Sequence, residues 1–192
     1  MTQVSIIGTG NMGTAISSVV AKGGNVVETI AKADADKLVT GEIVVLAVPH
    51  GAVSDILAKR GDQLAGKVVV DITNPVDFAT FDSLTVAADS SSAAEIAAAV
   101  PTAKVLKAFN TNFAATLAGG LVGAQPTTVL IAGDDADAKA QLADVITAGG
   151  LNAIDAGSLR RARELEAFGF LQIALAAGEK LPWTAGFAVV NQ

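Results

Sequence analysis

The sequence predicts an α/β fold: a doubly wound, mostly parallel sheet with helices on both faces, in a single unit spanning residues 1–192, with residues 158–192 forming a C-terminal helix and tail. Three observations predict it. Short runs rich in Val and Ile recur along the chain, helix-like stretches separate them, and a glycine-rich turn closes the first run. Strands alternating with helices imply a parallel sheet.

The elements follow in order. Continuous apolar runs at Val4–Ile7, Ile43–Val48, Val68–Ile72, Val105–Phe109 and Thr128–Ala132 suit strands buried on both faces, with weaker candidates at Val26–Ile30 and Ala153–Asp155. Met12–Lys22 follows the first strand, and Ala52–Leu64 has apolar residues close to helical spacing. Ser92–Val100 is alanine-rich and starts after a serine run able to cap it. Asp135–Ala148 opens with acids, which suit a helix N-terminus, and Leu159–Ala177 is the longest helical stretch. Asp77–Ser92 reads as a loop, and the segment between Ile30 and Glu42 has room only for a turn or short helix.

Composition narrows the function. The chain has 192 residues and a net charge of -6, with 51% apolar and 17% charged residues. Its pI near 4.6 argues against nucleic acid, which calls for a basic surface. Absent cysteine removes disulfides and thiolate chemistry, and the single histidine removes a multi-histidine metal site, so no metal is expected. Ala108–Gly133 is uncharged and long enough to span a bilayer, but its Asn, Gly, Gln and Pro residues make it strand, loop, strand. The N-terminus enters a strand directly, with no leader pattern, so a cytoplasmic protein without membrane association is expected.

Gly8-Thr9-Gly10-Asn11-Met12-Gly13 reads G-x-G-x-x-G directly between a strand and a helix. In that context Gly8 permits the tight turn, Gly10 lets a pyrophosphate approach the backbone, and Gly13 lets helix and strand pack closely. The free amides at the helix N-terminus then face phosphate. About 20 residues further on, an acid selects NAD and a base NADP. Lys32 stands there and favours NADP, although it also reads as an ordinary solvated lysine; Glu28, the competing acid, falls inside the strand.

In open α/β sheets ligands lie outside the carboxyl ends of the strands. Those ends are Ala47-Val48-Pro49-His50, Asp71-Ile72-Thr73-Asn74-Pro75, Lys107-Ala108-Phe109-Asn110-Thr111 and Ala132-Gly133-Asp134-Asp135. The blocks I-I-G-T-G-N-M-G, L-A-V-P, D-I-T-N-P, K-A-F-N-T, A-G-D-D and D-A-G-S-L, in this order from Val4 to about Leu175, are similar to the deazaflavin (coenzyme F420)-dependent NADP reductase family. That resemblance implies hydride transfer between NADP(H) and a deazaflavin, with flavin in related metalloreductase domains. It implies that Thr9, Asn11 and Met12 line the pyrophosphate site and that Lys32 reads the 2′-phosphate. It implies further that Val48, Pro49 and His50 flank the dinucleotide, with Asn74, Pro75, Asn110 and Thr111 near the nicotinamide and second substrate. The chain departs from the family in having Ala31-Lys32 where Ser-Arg is frequent, and in its short segment before Ile43. The glycine turn also resembles that of pyrroline-5-carboxylate reductase, a family with a longer C-terminal helical dimerisation domain.

Hydride transfer to a flavin-type ring needs little from side chains, whereas reducing a ketone calls for a proton donor. No tyrosine is present, so His50 and Lys107 are the weak acid–base candidates. His50 follows Pro49 and reads as a wall of the cofactor site. Lys107 reads as a strand-edge lysine paired with an acid, or as a substrate contact. Arg160, Arg161 and Arg163 with Glu164 and Glu166 read as a helix-surface ion-pair array, Arg160 and Glu164 being spaced i, i+4. The uncharged tail Leu181–Gln192 carries Trp183, Phe187, Val189 and Val190 and is expected to cover the sheet, the pocket or a second subunit, which makes a homodimer the expected state. Two alternatives remain: a dinucleotide sensor without turnover, and a small carbonyl or imine reductase.

Overall fold

A computed structural model describes residues 1–190; the tail's last two residues lie outside the described residues. The chain runs β1 (Gln3–Ile7), α1 (Asn11–Lys22), β2 (Val26–Ile30), β3 (Ile43–Leu46), α2 (Val53–Arg60), β4 (Val68–Asp71), α3 (Ser92–Ala99), β5 (Lys104–Lys107), α4 (Ala114–Gly119), β6 (Leu121–Val122), β7 (Gln125–Pro126), β8 (Thr128–Gly133), α5 (Ala136–Ala148), β9 (Asn152–Gly157) and α6 (Ala162–Ala177). Seven strands form one sheet in the order β2-β1-β3-β4-β5-β8-β9, and β6 and β7 form a separate small hairpin.

The apolar runs are continuous because both faces of the sheet are covered. Side chains of a strand alternate between faces. Val4 and Ile6 of β1, Ile43 and Val45 of β3 and Val68 and Val70 of β4 point into one core, shared with Ile16, Val19 and Val20 of α1 and Leu142, Val145 and Ile146 of α5. Ile7, Val44, Leu46 and Val69 point into the opposite core, with Val53 of α2 and Ala93 and Ile96 of α3. Each fully buried Val or Ile contributes about 1.5–3 kcal/mol. Local chemistry sets the helix starts: the Ser91 hydroxyl accepts from the Ala94 amide, and the Asp135 carboxylate accepts from the Ala138 amide.

β2, β1, β3, β4 and β5 are parallel, and β2 and β3 both pair with β1. The strand order therefore reverses between β1 and β3, the switch point where such sheets place a ligand crevice. The connection from β2 to β3 contains no helix, in keeping with its length. Arg60, the last residue of α2, holds it instead: its guanidinium donates to the carbonyls of Asp34 (2.7 Å), Ala35 (3.0 Å) and Lys37.

Two features correct the sequence reading. The stretch expected to be strand, loop, strand carries the one-turn helix α4 and the hairpin β6–β7. In addition, β8 runs antiparallel to β5, pairing Leu106 with Gly133 and Lys107 with Ala132, and β9 runs parallel to β8. The cause is the connection. A parallel return needs a crossover along the sheet, whereas α4 packs on α1 and the chain re-enters from the edge at which β5 ended. The Asp134–Asp135 end of β8 therefore lies at the opposite edge from the carboxyl ends of β1, β3, β4 and β5, where Asp135 pairs with Lys104 at 3.0 Å.

Candidate dinucleotide-binding cleft

The glycine turn leaves β1 with a geometry that only glycine permits. Gly8 has φ +119°, and a Cβ there would lie 2.0 Å from the Ala47 carbonyl oxygen at the end of β3. A Cβ on Gly13 would lie 2.2 Å from the Gly8 carbonyl oxygen. Between them, Gly10 has nothing within 4 Å of its Cβ position. The turn is thus clamped at both ends and open in the middle, where the backbone amides at the start of α1 face outward.

Two cavities adjoin across this turn. The first, about 500 Å³, is lined by Gly8, Thr9, Gly10, Ala31, Lys32, Val48, Pro49, Lys59 and Arg60, among others. It lies over the β1–β3 switch point and carries three bases and one acid, Asp55. Glu28, the competing acid, takes no part: it accepts from the Ser5 hydroxyl (2.6 Å) and the Thr40 hydroxyl (2.9 Å) within the sheet. Burial raises its pKa, but these hydrogen bonds outweigh that and hold it below its ordinary value.

The second cavity, about 770 Å³, opens over the carboxyl ends of β4 and β5. Asn11 and Met12 form its side nearest the turn; Asn74, Asn110 and Asn112 supply polar groups; Phe78, Phe113 and Trp183 supply aromatic walls. Trp183, in the tail, packs on Phe113 with ring centroids 5.1 Å apart. Asn74 and Asn110 lock each other: Asn110 Nδ2 donates to Asn74 Oδ1 (2.9 Å) and Asn74 Nδ2 donates to the Asn110 carbonyl (2.8 Å). Gly169 of α6 permits this pair, since a Cβ there would lie 2.4 Å from Asn74 Oδ1. Phe109 precedes Asn110 with φ +63° while almost fully buried, a left-handed conformation costing about 1–3 kcal/mol in a non-glycine residue. It turns the chain sharply at the end of β5, and the Asn112 amide donates back to its carbonyl (3.1 Å). Asn110 Oδ1 and Asn112 Oδ1 are both buried without a partner.

Several expected positions fall elsewhere. His50 lines neither cavity. Its Nδ1 lies 3.1 Å from the Ser92 hydroxyl, and it borders a separate pocket with Ser92 and Glu95 beside α2 and α3. The 3-10 turn His50–Ala52 after Pro49 swings it to that side. Pro75 and Thr111 are buried and line neither cavity.

Lys107 is also absent from both cavities, and it is no strand-edge residue: β5 lies between β4 and β8. Its ammonium is fully buried, 2.8 Å from Asp71 Oδ2 and 2.8 Å from Glu166 Oε1, and it donates to the Thr73 carbonyl at 2.5 Å. The expected pairing with an acid is present, but a substrate contact is ruled out by burial. Glu166 correspondingly leaves the surface ion-pair array. It accepts from the Ser92 amide at 2.9 Å, while Glu164 takes Arg161 (3.5 Å) and Arg163 (3.1 Å) in place of the expected Arg160. Burial pushes the Glu166 carboxyl above its ordinary value, against the pull of Lys107. Lys59, Arg60, Phe78, Phe113 and Asn112 line the cavities without having been expected to, whereas Trp183 stands where the tail was expected to cover the pocket. A basic pair ending an amphipathic helix was the available signal for Lys59 and Arg60; nothing marked Phe78, Phe113 or Asn112.

Comparison with known proteins agrees with this geometry. A family model described as "NADP oxidoreductase coenzyme F420-dependent" matches residues 3–75. The chain is 36% identical over 126 residues to the metalloreductase STEAP3 of Rattus norvegicus, covering 66% of this chain and 24% of that protein. It is 30% identical over 139 residues to the F420-dependent NADP reductase of Methanocaldococcus jannaschii, covering 70% of this chain and 62% of that protein. The chain thus spans less than two thirds of either curated relative. A solved structure from Arthrobacter sp. FB24, described as a putative F420-dependent NADP reductase, superposes with a TM-score of 0.83 at 26% identity, covering 100% of both chains. With the glycine turn and the switch-point cleft, these likenesses make the chain a Rossmann-fold protein similar to the coenzyme F420-dependent NADP reductases.

Proposed function

We propose that the protein is an NADP-dependent oxidoreductase that moves a hydride between NADP(H) and a flavin- or deazaflavin-type ring. The observation that carries this reading is the junction of the two cavities at the glycine turn. One side of Gly10 is basic and the other is apolar with amide groups, which matches the two ends of NADP. NADPH supplies the hydride when bound; a solvent proton completes reduction of the acceptor ring.

The residues then have separable tasks. Gly10 and the amides opening α1 receive pyrophosphate, and Lys32 with Lys59 attracts the 2′-phosphate. Val48 and Pro49 form the apolar wall of the basic cavity. Asn74, Asn110 and Asn112 bring amide groups to the wall, the kind of side chain that meets a carboxamide or a ring edge. Phe78, Phe113 and Trp183 exclude water from the rings and hold them face to face, which is the larger share of what such a reaction needs. Among the described residues no titratable side chain lines the second cavity, which disfavours carbonyl or imine reduction.

Steady oxidation of NADPH, followed at its nicotinamide absorbance, tests the reading against flavin, deazaflavin and ferric acceptors. Turnover with a flavin-type ring is expected. NADPH binding without oxidation by any acceptor would instead make the protein a dinucleotide sensor.

A further inference from the structure

The two halves of the cleft differ sharply in charge. The basic cavity carries Lys32, Lys59 and Arg60. Among the described residues no Lys, Arg, His, Asp or Glu lines the second cavity. This reaches beyond the lining itself. Residues 11–21 of α1, 108–133 around α4 and the hairpin, and 181–190 of the tail contain no charged side chain. The loop following β4, residues 72–90, contains Asp77, Asp82 and Asp89 and no base. Asp77 stands beside Phe78 at the cavity rim, and the Ala79 amide and Thr80 hydroxyl hold its carboxyl below the usual range, so it stays ionised. In α6 the acid facing this region, Glu166, is consumed by Lys107. Lys22 ends α1 against Gly150, at the far end of that helix from the turn.

A phosphate or carboxylate on the acceptor therefore meets no cation in the described lining; Lys180, which precedes the tail, is accompanied by Glu179, and the loop after β4 is acidic. Charged ligands are recognised by paired groups, and an unpaired anion beside like charge is repelled. The aromatic walls and amides suit the opposite kind of ligand, a flat ring with edge donors and acceptors.

We infer that the second cavity selects an electrically neutral flavin-type ring, one whose side chain carries no phosphate or carboxylate, over its phosphorylated counterparts. The ring type rests on the hydride-transfer reading above; the preference for neutrality rests on the charge pattern. Riboflavin and FMN differ by one phosphate and separate the two cases.

The test is equilibrium binding of riboflavin and of FMN to protein saturated with NADP+, followed by quenching of flavin fluorescence. Riboflavin is expected to bind about 10-fold more tightly than FMN at low ionic strength, with the gap narrowing near physiological salt, where charges more than about 8 Å apart are screened. Ala118→Lys, on the exposed side of α4 at the cavity, narrows the gap several-fold by supplying the missing cation. FMN binding as tightly as riboflavin to the unaltered protein overturns the inference, as does failure of both to bind. Riboflavin binding without NADPH oxidation upholds the neutral-ring site and overturns the hydride-transfer reading instead.

Discussion

Lys107 Nζ and Asp71 Oδ2 lie 2.8 Å apart in the middle of the sheet, with neither side chain exposed to solvent. Glu166 of α6 closes the group from the other side at 2.8 Å. One ammonium thus ties β4, β5 and α6 together, with Asn74 and Asn110 three residues beyond Asp71 and Lys107. Removing one member of a buried charge group costs about 3–5 kcal/mol, because its partners are left unpaired. Lys107→Met is expected to lower the urea-unfolding free energy by about that amount. Adding Asp71→Asn and Glu166→Gln to it is expected to recover part of the loss. A single variant as stable as the parent contradicts the assignment.

Glu166 and Glu28 give opposite pH dependences. Folding raises Glu166 above its ordinary 4.5, through burial. Its contribution to stability is therefore complete below that value and is lost as pH rises through the raised one. Folding lowers Glu28, where burial is outweighed by the Ser5 and Thr40 hydrogen bonds, so its contribution is present above 4.5 and is lost as pH falls. Glu166→Gln is expected to cost less at pH 7 than at pH 4, and Glu28→Gln the reverse. Urea unfolding at both pH values reads the two signs, and equal signs reject the account.

The glycine turn predicts a separation of roles. Gly13→Ala drives a Cβ into the Gly8 carbonyl, so both thermal stability and NADPH affinity are expected to fall. Gly10→Ala meets nothing in the protein, so the melting temperature is expected to stay close to that of the parent while NADPH affinity drops about 10-fold, or about 1.4 kcal/mol. Calorimetry with and without NADPH distinguishes them. An unchanged affinity in Gly10→Ala means that phosphate does not approach this backbone.

Much of the fold was legible because buried strands advertise themselves. The run Val26–Ile30 coincides with β2 at both ends, and the other apolar runs match their strands within a residue or two, since Val and Ile runs covered on both faces leave no polar interruption. The glycine turn was legible because its chemistry is local. What was missed is non-local or too short to show a period. α4 has six residues, less than two turns. The reversal of β8 is invisible because a strand's side chains do not encode its direction. Glu166 looks like a surface acid beside three arginines, and only the docking of α6 brings it to Lys107. His50 was placed by its position after Pro49, but the 3-10 turn that follows sends it to the other side of α2.

The central claim is that the basic cavity beside the glycine turn holds the 2′-phosphate of NADP(H). Parallel titrations of the protein with NADPH and NADH, read by nicotinamide fluorescence, test it most directly when repeated on Lys32→Ala. The account predicts NADPH binding at least 10-fold tighter than NADH in the parent, an advantage reduced several-fold by Lys32→Ala, with NADH affinity little changed. Equal affinity for the two nucleotides in the parent, or no binding of either, would contradict it.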